Sequence, residues 1–237
     1  RAIAIAKPDF VADITIPEAH CATTVTALAK GLPVIGEKPL AHSMAAARRM
    51  AKAADKAGKL SMISQSRRYD RNHAALVATL RADAIGAITA LNCDFYIGAH
   101  FGGFRDEMES PLVLDMAIHQ FDLCRYLTGA DPVAVYAKEF NPQASWYKGD
   151  VAASIIFEMT GGIIFTFRGS WCAEGCHTSW NGDWRVIGTR GTLLQVGDQA
   201  IMGSDMHPDF APDMHKPKDG FDVTLHFDKV EDARRIF

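Results

Sequence analysis

Residues 12–40 read ADITIPEAHCATTVTALAKGLPVIGEKPL, and this stretch decides the fold of the first part of the chain. The β-branched run Ala12–Ile16 is predicted as a strand that stops at Pro17. The segment Glu18–Lys30 is predicted as a helix, because an acidic residue opens it, a basic residue closes it and Gly31 follows. A strand followed at once by a helix begins a strand–helix alternation.

The alternation continues to residue 64. The apolar run 33–36 predicts a second, buried strand. Ser43 is a suitable N-cap for an alanine-rich helix that reaches about Ala57 and closes at Gly58. Residues 60–64 predict a third strand. Strand, helix, strand, helix, strand is a right-handed βαβαβ unit, which is half of a doubly wound nucleotide-binding sheet.

The pattern changes after Arg67. A helix near 72–81 precedes a long strand over 87–97, and another helix is predicted from Pro111 to Leu127. The remaining strands are predicted at 133–140, 151–159, 163–169, 184–188 and 192–196. Hairpin turns join several of them, which indicates a mostly antiparallel sheet. The fold class is therefore α/β for the first part, followed by an α+β part.

Composition excludes several functions. The 237 residues carry 25 Lys and Arg against 28 Asp and Glu, a net charge of −3, so no basic field exists to recruit nucleic acid or an anionic membrane. No apolar run approaches the roughly 20 residues that a membrane helix needs. The five cysteines are an odd number in a long chain, which favours reduced thiols and a cytoplasmic protein.

Two groups of chemically capable residues follow the first two predicted strands. Ligands of open α/β sheets bind outside the carboxyl ends of the strands, which places Pro17 and His20 near a ligand. The alternative is a solvent-exposed histidine at a helix start. Glu37 and Lys38 follow the second strand, and Pro39 restricts the backbone there. An ammonium group held in this way polarises a hydroxyl or carbonyl, whereas the alternative is a surface ion pair.

A third group lies in the predicted helix 111–127. Asp115 and His119 are four residues apart and project from one helix face, with Asp122 three residues further on. A carboxylate beside an imidazole sets its tautomer and pKa, which suits a general acid and base near neutral pH. The alternative is an ordinary ion pair on a helix surface.

Two further groups have alternatives that the sequence leaves open. Metal-ligating residue types occur without the spacing of a zinc site, and we expect no metal. They are Cys172, Cys176 and His177, and in the polar loop Asp205, His207, Asp209, Asp213 and His215. Four tryptophans either stack on a sugar ring or pack in a core. They are Trp146, Trp171, Trp180 and Trp184.

Together, these motifs resemble those of the Gfo/Idh/MocA family of NAD(P)-dependent oxidoreductases. The similar elements are Pro17–His20, residues 31–40 and residues 115–129, and residues 65–69 resemble the stretch that leaves the nucleotide-binding domain. The resemblance implies that 1–66 is the C-terminal part of a dinucleotide-binding (Rossmann) domain. It implies that 67–237 is an α+β domain for substrate binding and dimerisation.

The resemblance also implies an activity, the transfer of a hydride between NAD or NADP and a sugar, inositol or related polyol. Lys38 would contact the nicotinamide end of the cofactor and the substrate hydroxyl, and His119 would take the hydroxyl proton. Asp115 would orient neighbouring hydroxyls or the histidine. The residues that would line the cofactor pocket are Pro17, His20, Glu37, Lys38 and Arg67.

Two alternatives to a dehydrogenase stay open. Some relatives cleave a glycosidic bond by transient oxidation, and others are non-catalytic regulators that sense a nucleotide. The open face of the large sheet favours a homo-oligomer. The family's glycine-rich loop, G-x-G-x-x-G, does not occur in this sequence and would lie N-terminal to Arg1. We therefore expect 237 residues not to be the native length, and we expect the residue that discriminates NAD from NADP to lie outside this sequence together with the glycine-rich loop.

Overall fold

The structure, a computed structural model, describes residues 2–197, 199–203 and 223–226, with side chains described for residues 3–197. The chain divides into two compact units, Arg1–Gln65 and Ser66–Phe237. As far as it is described, the first unit consists of α1 (Ala2–Ala6), β1 (Val11–Asp13), α2 (Pro17–Ala29), β2 (Val34–Gly36), α3 (Met44–Ala57) and β3 (Ser61–Ile63).

The three strands of the first unit are parallel and lie in the order β1-β2-β3. The predicted βαβαβ unit is therefore confirmed. Its small core contains Ala27, Leu28 and Val34, which are almost completely buried between helix α2 and the sheet. The register places Ala12, Ile35 and Met62 in one row on the other face, and Ile35 and Met62 are exposed, so the prediction of a fully buried second strand is wrong for that face.

Strand β1 is shorter than the predicted Ala12–Ile16, and the prediction is wrong over its second half. The side chain of Asp13 accepts hydrogen bonds from the backbone N–H and the hydroxyl of Thr15, at 3.3 and 2.6 Å. This local turn takes the chain out of the sheet, because a short polar side chain competes with the ladder for backbone groups.

The second unit contains two α-helices and eight strands among the described residues. They are α4 (Arg71–Arg81), β4 (Ile88–Tyr96), α5 (Ile118–Thr128), β5 (Pro132–Phe140), β6 (Ala152–Met159), β7 (Ile164–Ser170), β8 (Asp183–Gly188), β9 (Thr192–Val196), β10 (Gln199–Gly203) and β11 (Val223–His226). Short 3₁₀ turns occupy Ser66–Tyr69, Gly103–Glu107 and Thr160–Gly162.

The eight strands form one mixed sheet in the order β11-β10-β9-β8-β4-β7-β6-β5. Within this sheet, as far as it is described, β4 and β7 form the one parallel pair and the other pairs are antiparallel, so the predicted mostly antiparallel sheet is confirmed. Helices α4 and α5 pack together, and α5 packs on β4. The core between helices and sheet is rich in aromatic residues, including the fully buried Phe95, Phe167 and Trp184.

The ends of helix α3 follow the prediction. The hydroxyl of Ser43 accepts a hydrogen bond from the backbone N–H of Ala46 at 3.3 Å, and Gly58 closes the helix in the left-handed region with φ of 58°. Both features satisfy backbone groups that a helix end otherwise leaves without partners.

Replacing Ser43 with alanine removes this cap, and we expect the variant to lose about 0.5–2 kcal/mol of stability. Urea unfolding followed by circular dichroism measures the loss. Ser43→Asp is the matched control, because aspartate also caps a helix and should keep most of the stability. An alanine variant as stable as the parent protein would contradict the role of this cap.

Candidate functional site

In the first unit, the loops that follow β1 and β2 both leave the sheet at its carboxyl edge. The backbone N–H of Glu37 donates to the carbonyl of Asp13 at 2.9 Å, so the two strand ends lie side by side. The carboxylate of Glu37 accepts a hydrogen bond from the backbone N–H of Lys38 at 3.3 Å. The peptide bond between Lys38 and Pro39 is cis. The predicted residues Glu37 and Lys38 therefore lie at the carboxyl edge of the sheet, where ligands of such sheets bind.

His20 lies beneath this edge and joins the two loops. Its ring is buried, and its two nitrogens lie 2.9 Å from the carbonyl oxygens of Thr15 and Pro39. A carbonyl only accepts, so a neutral ring donates to one of the two and a doubly protonated ring donates to both. In this arrangement, His20 positions the loop that carries Lys38, and both of its ring nitrogens lie against backbone carbonyls.

Two more features at this edge favour a polar ligand. One carboxylate oxygen of Asp13 is buried and has no hydrogen-bond partner among the described residues. A buried acceptor without a partner is costly, and a ligand donor would satisfy it. Pro17 occupies the first turn of α2, whose N-terminus carries partial positive charge at the same end of the unit. Asp13 was not recognised from the sequence, because it was predicted to lie inside a strand.

In the second unit, the segment that carries Asp115 is not a regular α-helix. Residues Leu112–Met116 form a π-helical turn, and the backbone N–H of Ala117 donates to the carbonyl of Leu112 at 2.7 Å. The predicted continuous helix from Pro111 to Leu127 is therefore wrong over its first turn, and α5 begins at Ile118. Such widened turns are frequent at functional sites. Asp115 and His119 flank the transition, and both are buried.

The carboxylate of Asp115 is held by an arginine that the sequence analysis missed. The Nε of Arg105 donates to Oδ2 of Asp115 at 2.7 Å, and the side chain of Asp115 is only 4% exposed. Arg105 lies in the loop that follows β4, ten residues before Asp115, so no helical spacing connects the two. The signal that the sequence offers for Arg105 is its place directly after the glycines and phenylalanines of residues 101–104.

Asp122, the third acidic residue of the predicted group, has a structural partner. Its carboxylate binds the guanidinium of Arg68 through two hydrogen bonds, at 2.6 and 2.7 Å. The side-chain hydrogen bond to Asp122 raises the pKa of Arg68. Because both oxygens are engaged, Asp122 secures the start of the second unit to helix α5. Asp122 is thus engaged in an ion pair with Arg68, and the acid and base roles predicted for this group are left to Asp115 and His119.

Arg67 and His73 lie close together at the start of the second unit. Arg67 donates from Nη1 to the side-chain oxygen of Asn181 at 2.7 Å, and desolvation by burial lowers its pKa. The Nδ1 of His73 lies 2.9 Å from the carbonyl oxygen of Arg67. His73 is fully buried, and this desolvation lowers its pKa. A buried histidine of this kind remains neutral near pH 7.

The four tryptophans differ in their exposure to solvent. Trp171 and Trp184 are buried in the core, whereas Trp180 is 42% exposed. The ring of Trp180 lies 5.9 Å from the ring of Phe101, which is also about half exposed. Trp146 stacks on His100 with the ring centroids 3.6 Å apart. Trp180 is therefore the tryptophan whose ring combines clear exposure with an exposed aromatic neighbour.

Neither membrane nor metal features are found in the part of the chain that the structure describes. No described helix is long and apolar enough to cross a bilayer. No group of three or more His, Cys, Asp or Glu side chains among the described residues is arranged to hold a metal ion. The Nε2 of His177 instead lies 2.8 Å from the carbonyl oxygen of Ala173 and 3.3 Å from the backbone nitrogen of Gly98. The polar loop with Asp205, His207, Asp209, Asp213 and His215 lies outside the described residues.

A parallel βαβαβ unit with an open carboxyl edge, followed by a unit built on one large mixed sheet, defines a two-domain Rossmann-type protein. Residues 73–194 match the GFO/IDH/MocA C-terminal domain, and residues 2–65 match the oxidoreductase family with an NAD-binding Rossmann fold. The chain belongs to the Gfo/Idh/MocA family.

Two curated relatives show how much of such a protein is present. The chain is 31% identical over 199 residues to the uncharacterized protein y4oX of Sinorhizobium fredii, covering 82% of this chain and 55% of that protein. It is 25% identical over 221 residues to inositol 2-dehydrogenase 4 of Saccharopolyspora erythraea, covering 90% of this chain and 64% of that one. The chain thus spans between 55% and 64% of the length of these relatives.

Solved structures share the fold. An oxidoreductase from Agrobacterium radiobacter in complex with NAD⁺, L-tartaric acid and magnesium superposes with a TM-score of 0.79 at 24% identity, covering 85% of this chain and 60% of that one. An inositol dehydrogenase homologue from Azotobacter vinelandii, complexed with NADH and myo-inositol, gives 0.75 at 19% identity over 92% of this chain and 56% of that chain. At these identities the likeness establishes the fold.

Replacing His20 with phenylalanine removes the ring N–H groups available to the carbonyls of Thr15 and Pro39. We expect a loss of about 1–3 kcal/mol for each carbonyl left without a donor, measured by urea unfolding. His20→Gln is the control, because its amide still donates and should retain part of the stability. Equal stability of the phenylalanine variant and the parent protein would refute the joining role of His20.

His73 makes stability depend on pH in a defined direction. Because its pKa is lower in the folded protein than the unfolded value of about 6.5, the unfolded chain binds more protons as the pH falls. Stability should therefore decrease below about pH 6.5, by at most about 1.4 kcal/mol per pH unit from this residue. Urea midpoints between pH 5 and 7.5 measure it. His73→Asn should show a smaller decrease, and an unchanged pH dependence would contradict this assignment.

Proposed function

We propose that this chain is part of an NAD(P)-dependent dehydrogenase that oxidises a secondary hydroxyl of a sugar, inositol or related polyol. The observation that carries the proposal is the buried carboxylate of Asp115, fixed by Arg105 and followed four residues later by the buried His119. A carboxylate and an imidazole that share one buried segment are the groups that proton transfer to or from a hydroxyl requires. Membership of an oxidoreductase family supports the same reaction.

We propose that the carboxyl edge of the first unit binds the NAD or NADP cofactor. Among the described residues, a buried oxygen of Asp13 has no hydrogen-bond partner, and the positive end of α2 lies at the same edge. We propose that Lys38, Glu37 and Pro17 line the cofactor pocket, with His20 beneath them and Arg67 near the mouth. The bound cofactor would supply the hydride acceptor.

The roles proposed for the other residues concern the substrate. Lys38 contributes an ammonium group that donates a hydrogen bond to the reacting hydroxyl and makes its proton easier to remove. His119 accepts that proton through a ring nitrogen. Asp115 accepts hydrogen bonds from neighbouring hydroxyls of the substrate or orients His119. In this proposal the chain contributes alignment and proton handling.

The names of relatives support the substrate class. Several curated relatives are inositol 2-dehydrogenases, and one solved neighbour is a levoglucosan dehydrogenase complexed with NADH and levoglucosan. A glycosidase that uses transient oxidation would employ the same proton-transfer groups, and product analysis separates it, because it releases a sugar without accumulating NADH. A nucleotide-sensing regulator would need neither Asp115 nor His119.

We further propose that the enzyme is a cytoplasmic homo-oligomer that associates through its large sheet. The register of the sheet places Tyr136, Ile156 and Thr166 in one row on the face opposite the helices. Tyr136 is 70% exposed and Ile156 is 44% exposed. Exposed apolar side chains on an open sheet face favour burial against a second sheet. Analytical ultracentrifugation of the full-length protein measures its oligomeric state.

The test of the catalytic proposal uses the full-length protein with NAD or NADP and a panel of polyols, following absorbance at 340 nm. We expect reduction of the nicotinamide with at least one polyol, and a loss of about 10²–10⁴-fold in kcat for His119→Ala. Asp115→Asn should also reduce kcat strongly. Asp122→Asn is the matched control, because Asp122 is a carboxylate of the same segment whose partner is Arg68, and it should retain kcat.

Two results would contradict the dehydrogenase proposal. The first is the absence of nicotinamide reduction with every polyol in the panel. The second is an unchanged rate in His119→Ala, because the proposal rests on proton transfer by this histidine.

A further inference from the structure

We propose that Arg105 binds a carboxylate of the substrate, so that the enzyme prefers polyhydroxy acids to neutral polyols. This inference rests on the proposed function and specifies its substrate class. Arg105 is the residue that holds Asp115, and its remaining contacts indicate a binding group with a role beyond that ion pair.

The guanidinium of Arg105 is fixed by three side chains. Its Nε donates to Asp115 at 2.7 Å, and its central carbon lies 5.4 Å from the ring centre of Phe101 and 4.6 Å from that of Phe104. An aromatic ring face attracts a guanidinium and stacks on its plane. The Nε edge of the guanidinium is therefore bound to the carboxylate of Asp115, and the rings of Phe101 and Phe104 lie close to the guanidinium and restrain it.

The terminal nitrogens of Arg105 remain available for a ligand. A guanidinium carries five N–H donors, of which Asp115 uses the one on Nε. Within the described part of the chain, the two terminal nitrogens of Arg105 make no hydrogen bond. The side chain is 30% exposed, so a small molecule can reach it. A fixed fork of N–H donors matches the two oxygens of a carboxylate better than it matches a hydroxyl.

The loop that carries Arg105 is anchored rather than free. The backbone N–H of Lys148 donates to the carbonyl of Asp106 at 2.9 Å, and that of Asp150 donates to the carbonyl of Glu109 at 2.7 Å. Between these two bonds lies Gly149, where a Cβ atom would come within 2.2 Å of the carbonyl oxygens of Met108 and Glu109. Only glycine allows this approach, so the second segment clamps the loop. A binding group on an anchored loop loses little entropy when it binds.

An apolar surface adjoins the cation. The ring centre of Phe101 lies 5.4 Å from the guanidinium carbon of Arg105 and 5.9 Å from the ring centre of Trp180. Both rings are about half exposed. Polyhydroxy acids combine a carboxylate with a chain or ring that has C–H faces, and aromatic side chains pack against such faces. The exposed surface of Arg105, Phe101 and Trp180 therefore complements these molecules, because it offers a cation to the carboxylate and aromatic rings to the C–H faces.

The ion pair with Asp115 also restricts where the substrate carboxylate lies. One guanidinium would bind Asp115 by Nε and the substrate by its terminal nitrogens, which places the two carboxylates on adjacent edges of the same group. If Asp115 orients hydroxyls at the reacting carbon, the substrate carboxylate lies one or two carbons from that position. The preferred substrates are therefore hydroxy acids in which the oxidised hydroxyl is close to the acid group.

The experiment compares matched acids and neutral analogues with the full-length protein and its nicotinamide cofactor. The pairs are D-gluconate with D-glucitol, L-tartrate with L-threitol, and D-glucuronate with D-glucose. For the parent protein, we expect kcat/KM to be at least tenfold higher for the acid of at least one pair. In Arg105→Gln, we expect this acid-to-neutral ratio to fall at least tenfold, mainly through a higher KM for the acid.

Two variants distinguish binding of the carboxylate from a general loss of structure. Arg105→Lys keeps the positive charge without the planar fork, and should retain part of the preference for the acid. Arg125→Gln removes another arginine–aspartate pair of the same unit, Arg125 with Asp131, and should leave the ratio unchanged. A structural defect would lower activity on both members of a pair equally and leave the ratio unaltered.

Direct binding separates this proposal from the proposed function. Calorimetry of the same acids and neutral analogues, with NAD present, reports binding without turnover. Binding of an acid that Arg105→Gln abolishes, without any turnover, would support the carboxylate site and refute the dehydrogenase. A parent protein that prefers the neutral member of every pair, or binds no acid, would overturn the carboxylate proposal. An unchanged ratio in Arg105→Gln would overturn it as well.

Discussion

The candidate site of the second unit depends on one buried ion pair, between Arg105 and Asp115. A carboxylate that is 4% exposed is costly unless a charge or several donors compensate it, and here the Nε of the Arg105 guanidinium lies 2.7 Å away. The loop after β4 and the segment before α5 are therefore fixed relative to each other. Removing either partner alone would leave an uncompensated buried group.

The first unit solves a similar problem with a histidine instead of a charge pair. His20 is buried between two loops whose carbonyls have no partner in the sheet, and its ring reaches both. In each unit, a polar side chain inside the protein joins two segments that are distant in sequence. In the first unit, the histidine contacts the loop that carries Lys38. In the second unit, the arginine contacts Asp115 itself. A buried polar contact therefore restrains the segment that carries each proposed reactive group.

The sequence predicted those parts of the molecule that depend on local patterns. The strand and helix periodicities, the Ser43 cap and the glycine after α3 are local signals, and they were correct. The end of β1 was mispredicted, because the turn depends on one side-chain contact between Asp13 and Thr15. The π turn at Leu112–Met116 and the pairing of Arg105 with Asp115 depend on tertiary packing, for which the spacing of residues carries no signal.

The π turn has a consequence for how the length of this segment can vary. Each residue in a helix rotates the chain by about 100°, and a π turn holds one residue more than an α turn. The extra residue between Leu112 and Ala117 is absorbed in a single wide turn, and α5 continues beyond it undisturbed. Deleting Met116 would shorten the spacing between Asp115 and His119 from four residues to three, which turns the two side chains by about 100° relative to each other. The angle between the two side chains is thus set by chain length at this point.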